Sequence, residues 1–130
     1  MVSDAHLDTQ WNWDIQTTIK DYVWNTISQN LFLLKQYPEY IFNFEGAVKY
    51  AWMKEYYPAQ YEEMKKFIES GRWHISGASW DATDTLVPSI ESAIRNIMLG
   101  QDYYRKEFGV ESTDIFLPDC FFLPLRPIAD

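Results

Sequence analysis

Between Gln16 and Gln36, apolar side chains recur at Ile19, Tyr22, Val23, Ile27, Leu31 and Leu34, the three-and-four spacing of one buried helical face. Pro38 ends that helix, because proline disfavours helical geometry in the residue before it. Tyr40 to Phe44 follows as a short aromatic and β-branched run that predicts a strand. Ala47 to Tyr56 fits a short helix, and Pro58 stands well as the first residue of another, closed by Gly71. Trp73 to Ser76 predicts a third strand, and the Gly, Ser, Asp and Thr of Gly77 to Val87 predict a loop after it. Pro88 and Ser89 open a helix with apolar positions at Ile90, Ala93, Ile94, Ile97, Met98 and Tyr104, stopped by Gly109. Asp114 to Leu117 predicts a fourth strand, and Met1 to Leu7 reads as a clipped first strand running into a polar and aromatic cluster, His6 to Asp14.

Strands alternating with amphipathic helices predict an α/β fold of parallel βα units, either a barrel or an open sheet. In both, ligand chemistry belongs at the carboxyl ends of the strands. His6, Trp80 and Asp119 all fall at such ends. Neither an internal repeat nor a low-complexity segment interrupts residues 1–130, so one domain, or part of one, accounts for the chain.

Composition narrows the function classes. An apolar share of 47% with 23% charged residues is that of a chain with a packed core, not of a disordered tail. With 19 acidic against 11 basic residues and no cluster of Lys and Arg, the net charge of −8 argues against a nucleic-acid partner. Aromatic residues reach 18%; most belong in the core, which leaves some for a sugar-stacking surface. The single Cys120 forms no internal disulfide and leaves the compartment open. No run approaches the roughly 18 apolar residues of a membrane span, and no signal pattern opens the chain, so an export signal would lie upstream.

His6 and Asp8 form an HxD pair, and on an extended chain residues two apart project to the same side, so imidazole and carboxylate can converge on one cation. Such pairs are frequent by chance. Trp11 and Trp13 follow at once and add rings that suit the apolar C–H faces of a sugar. Asp119 stands in FLPDCF directly after a predicted strand, although an aspartate there is more often a cap or turn residue. Asp84 in SWDATDT can simply order the turn before Pro88, and His74, alone in a strand, reads as a structural histidine.

Three segments taken together, AHLDTQWNWD, GRWHISGASWDATDTLVPSIESAIRN and FLPDCF, resemble glycoside hydrolase family 38 in residues, order and spacing. The resemblance covers nearly all of residues 4–121. It implies the N-terminal part of a seven-stranded (β/α) barrel catalytic domain. The implied activity is hydrolysis of alpha-mannosides, or mannose-containing glycans, with retention of configuration and one divalent metal, usually zinc. Matched by position, it implies metal ligation by His6, Asp8 and Asp119, nucleophilic attack by Asp119, an aromatic platform at Trp11, and sugar contacts at Trp80 and Asp84.

A further metal-ligating histidine and the acid/base aspartate of that family have no match in these residues. Residues 122–130 (FLPLRPIAD) depart from the pattern, which usually continues with glycine and small polar residues. This reads as truncation at both ends, with a frame shift after Phe121 as one origin, and predicts that the 130-residue chain alone has little activity. Two other readings compete: a different metal-dependent carbohydrate enzyme such as a polysaccharide deacetylase, or a non-catalytic carbohydrate-binding fragment using Trp11, Trp13 and Trp80.

Overall fold

The computed structural model describes residues 2–84 and 86–119. The chain order is β1 (Val2–Ala5), α1 (Ile15–Thr17), a π-helical segment (Thr18–Val23), α2 (Trp24–Gln36), β2 (Ile41–Glu45), α3 (Ala47–Tyr56), α4 (Pro58–Glu69), β3 (Trp73–Ser76) and α5 (Ile90–Phe108). The three strands pair in parallel in the order β1-β2-β3, with Ala5 opposite Phe44 and Phe44 opposite Ile75.

Parallel register gives each face of this sheet a distinct character. Phe42, Phe44, Trp73 and Ile75 project to one side and join Ile27, Leu31, Leu34, Tyr50, Met53, Tyr61, Met64 and Tyr104 of the helices in a single buried cluster. Trp73 meets Phe42 edge-on at 4.8 Å between centroids and donates its indole N–H to the Tyr50 hydroxyl at 3.0 Å. The aromatic richness of the sequence is therefore spent mostly on the core. The other side of the sheet carries Asp4, Asn43 and His74 in register, none of them buried.

Local chemistry fixes the element ends. Asp14 caps the first helix, its carboxylate accepting the Thr17 N–H at 2.8 Å. Arg72 closes the other end of that helical run, donating to the carbonyls of Leu34 at 2.7 Å and Tyr37 and stacking on Phe67. Gly46 adopts a positive φ of 81° before α3, and a Cβ there would stand 2.8 Å from the Lys49 ammonium. The first amides of α3 are satisfied by the loop after β3: Ala47 N–H donates to Ser79 O and Val48 N–H to Trp80 O.

One predicted element does not form. Asp114 to Leu117 is irregular rather than a fourth strand, because the Gly77 N–H at the end of β3 goes to the Asp114 side chain (3.3 Å) instead of a backbone carbonyl. Asp114 also accepts from the Ser112 hydroxyl at 2.6 Å. Burial alone would push its carboxyl up, but the bonds from Ser112 and Gly77, with His74 nearby, hold it below the ordinary 3.8. Among the described residues the first strand occupies Val2–Ala5 and stops short of His6 and Leu7. Cys120 and the departing tail at 122–130 lie outside the described residues.

Candidate functional site

The strand register builds the centre of the site. Because Ala5 stands opposite Phe44, the next residues along the two chains, His6 and Glu45, meet at the carboxyl ends of β1 and β2. His6 Nδ1 lies 2.7 Å from Glu45 Oε1. That leaves His6 Nε2 facing two carboxylates, Asp8 Oδ1 at 3.5 Å and Asp119 Oδ2 at 3.9 Å. One ligand atom from each of His6, Asp8 and Asp119 lies within 4.8 Å of the others. Two carboxylates drawn toward one imidazole nitrogen repel each other, and this N,O,O donor set fits a divalent cation with positions left open. Among the described residues the buried Glu45 has one oxygen, Oε2, without a hydrogen-bond partner, while Oε1 meets His6.

A second layer holds the loop that carries Asp8. Thr9 donates its hydroxyl to Asp81 Oδ2 at 2.6 Å, and the fully buried Lys49 reaches Asp81 Oδ1 at 3.3 Å. Asn96 of α5 in turn holds the loop after β3 that bears Asp81, accepting the Asp81 N–H at 3.0 Å and donating to Asp81 O and Thr83 Oγ1 at 2.9 Å each. Buried Thr18, at the start of the π-helical segment, donates to Thr9 O at 2.9 Å and accepts the Trp13 indole N–H at 2.8 Å. The wider helical turn at Thr18 thus serves the loop, a usual place for such segments. Trp13, packed on Tyr22, props the loop from behind.

His6, Asp8, Trp11, Asp84 and Asp119 line one pocket of about 240 Å³, together with Ala82, Thr83 and Pro118. Trp11 is 65% exposed beside the carboxylates, a ring with a free face. Asp84 also orders its own turn, accepting the Leu86 N–H at 2.7 Å and the Val87 N–H at 3.2 Å. Trp80 packs its ring edge-on against Tyr103 at 5.8 Å and is not among the residues that line this pocket. His74 stands apart with Asp114 at 3.6 Å. A larger concavity of about 510 Å³ runs along α5, but its wall is Ile90, Ile94, Met98 and Leu99 with the mutually paired Glu91 and Arg95, which offers no chemistry for a sugar bond. Glu45 carries no motif of its own; its one sequence signal is an acid directly after the predicted strand Tyr40 to Phe44, in FNFEG, where the strand in fact runs through Glu45.

The family model of the glycosyl hydrolases family 38 N-terminal domain matches residues 1–122. The chain belongs to glycosyl hydrolase family 38. Within the family's relatives, it is 36% identical over 120 residues to alpha-mannosidase G of Dictyostelium discoideum, covering 92% of this chain and 11% of that protein. Against alpha-mannosidase 2C1 of Homo sapiens it is 32% identical over 119 residues, 90% of this chain and 11% of that one. The chain thus spans about a tenth of the length of these curated relatives. Its fold is similar to that of a family 38 protein from Enterococcus faecalis, with a TM-score of 0.76 and 23% identity over 92% of this chain and 14% of that one. Among the described residues, no helix is long and apolar enough to cross a membrane.

Proposed function

We propose that this chain supplies the metal-holding and nucleophilic part of a retaining alpha-mannosidase, acting on alpha-mannosides or mannose-containing glycans. The observation that carries the reading is the convergence of His6, Asp8 and Asp119 within 4.8 Å at the carboxyl ends of the strands, beside the open face of Trp11. His6, Asp8 and Asp119 would hold a divalent cation, zinc by family resemblance. Such a cation, when bound, anchors neighbouring sugar hydroxyls and offsets negative charge in the site.

The residues divide the work. Trp11 offers an apolar platform to the C–H face of the mannose ring, and Asp84, whose Oδ1 takes the Leu86 and Val87 amides, can accept from a hydroxyl through Oδ2. Asp119 attacks the anomeric carbon as the glycosidic C–O bond breaks, and a second carboxyl about 5 Å away protonates the departing oxygen, then takes a proton from the water that frees the sugar. The family's acid/base aspartate, outside the matched segments, is assigned that second part. Trp80 acts here through its packing on Tyr103, which steadies the loop bearing Asp84.

Placement of all packed helices against one sheet face, with a polar row of Asp4, Asn43 and His74 on the other, supports the N-terminal wall of a (β/α) barrel over a doubly wound sheet. Its extension to seven strands is part of this proposal. Edge strands β1 and β3 and the exposed apolar residues Ile90, Ile94, Met98 and Leu99 of α5 call for further cover. The 130-residue chain by itself therefore turns over little substrate.

Zinc titration of the purified chain against a competing chelator tests the assignment. We expect one site, weakened at least about 100-fold in His6→Ala, since loss of one of three protein ligands removes both a bond and the preset geometry. The same samples should hydrolyse an aryl alpha-mannoside poorly. Equal zinc affinity in wild type and His6→Ala refutes the metal-holding assignment.

A further inference from the structure

We infer that Glu45 is the positioning residue of the site: its carboxylate fixes His6 in the tautomer and orientation that aim Nε2 at Asp8 and Asp119. The inference rests on the metal-holding reading above for its consequence, but its physical basis is independent of any bound ion.

Imidazole has two nitrogens, and a neutral ring carries its proton on one of them. A free histidine in water favours the proton on Nε2, which would point an N–H rather than a lone pair into the pocket. Glu45 reverses that preference. Its Oε1 lies 2.7 Å from Nδ1 and, as an acceptor, demands that Nδ1 be the protonated nitrogen. Nε2 is then left as a lone pair facing the two aspartates.

Three features argue that this contact is more than incidental packing. Glu45 is 1% exposed, and a buried carboxylate is retained only at a cost unless a specific interaction needs it. Among the described residues its second oxygen has no partner, so His6 is the side chain that its hydrogen bonding serves there. The nearby buried cation, Lys49, is hydrogen-bonded to Asp81, which in turn holds Thr9, so the ammonium is engaged in fixing the Asp8 loop. Glu45 and Lys49, four residues apart on one turn of chain, therefore act on different parts of the site: one orients the imidazole, the other anchors the loop that carries the first carboxylate. Gly46 between them takes a positive φ of 81°, a backbone conformation that favours glycine.

The test reads the tautomer directly. The chain has only two histidines, His6 and His74, so long-range proton–nitrogen NMR spectra of the metal-free chain, taken above the imidazole titration range, assign each ring. We expect His6 protonated on Nδ1 in the wild type and shifted to the Nε2 form in Glu45→Ala, while His74 is unchanged in both. Zinc affinity of Glu45→Ala should fall about 10- to 100-fold, the usual effect of removing a residue that orients a metal ligand. Glu45→Gln keeps a carbonyl oxygen for Nδ1–H and serves where the alanine variant fails to fold. It should retain the Nδ1 tautomer and lose less affinity, about 3- to 10-fold, through the missing charge. A wild-type His6 protonated on Nε2, a tautomer unmoved in Glu45→Ala, or zinc affinity unchanged in Glu45→Gln where His6→Ala does weaken zinc overturns the inference. Should His6→Ala leave zinc affinity intact while Glu45→Ala still switches the tautomer, the metal reading fails and the hold of Glu45 on His6 stands.

Discussion

Asp119→Asn, placed in the whole alpha-mannosidase proposed to carry this segment, should lower kcat on aryl alpha-mannosides on the order of 10⁴-fold or more, the scale seen when a covalent nucleophile is removed. The amide is close to isosteric with the carboxylate but cannot form the glycosyl ester on which retention depends. Asp119 also faces His6 Nε2 at 3.9 Å, so metal affinity should fall in the same variant. The comparison that separates the two roles is Asp8→Asn. Asp8 lies 3.5 Å from the same nitrogen, and losing its charge weakens metal binding without touching the nucleophile. At saturating zinc, Asp8→Asn should recover much of its turnover while Asp119→Asn should not. Recovery of Asp119→Asn by added zinc would reduce Asp119 to a ligand. Steady-state kinetics across a zinc series reads the difference.

Gly100→Ala should have the largest effect on stability of any single methyl added to this chain. In an exposed helix interior the change would stabilise by about 1 kcal/mol, because alanine is the better helix former. Gly100 is buried where α5 crosses the loop after β3, and a Cβ would stand 2.2 Å from Ala78 O, 2.4 Å from Ser79 C and 2.7 Å from Ser79 O. Those atoms are backbone and already committed: Ser79 O accepts the Ala47 N–H and Trp80 N–H donates to Asn96 O. Relief of the clash therefore moves the loop or lifts the helix, and either breaks bonds at the N-terminus of α3. Overpacking of this kind costs about 3 kcal/mol, at the upper end of its usual range. That corresponds to a fall in Tm of roughly 10 °C for a domain of this size. Asp81 and Asp84 ride on the same loop, so zinc affinity should drop with it. A Tm at or above that of the wild type would show that α5 sits farther from the loop than described.

What could be read in the sequence divides by range of interaction. Trp73–Ser76 and Ala47–Tyr56 form where the pattern predicts them, because alternation, helical periodicity and the Pro58 start signal are local properties of the chain. Ser89 caps α5 and Gly109 closes it in the left-handed region for the same reason. The π-helical widening at Thr18–Val23 has no local signal, since it follows from Thr18 reaching back to Thr9 and across to Trp13. Asp114 to Leu117 has strand-like residues, but the Asp114 side chain takes the amide that a backbone partner would have used.

The site shows the same division. HxD, the two nearby tryptophans and LPD are compact motifs, and the pocket gathers His6, Asp8, Trp11, Asp84 and Asp119. Which of two loop tryptophans lines the pocket is decided by packing: Trp11 is largely exposed there, while the Trp80 ring packs on Tyr103 of α5. Glu45 is separated from His6 by 39 positions, and only the β1–β2 register makes them neighbours.

Anomalous diffraction at the zinc edge, from crystals of the chain grown with zinc, tests whether His6, Asp8 and Asp119 hold one cation. One strong peak is expected within ligand distance, about 2.0–2.2 Å, of His6 Nε2 and of a carboxylate oxygen from each of Asp8 and Asp119. A map with no peak there, or with its peak at His74 and Asp114 instead, would contradict it.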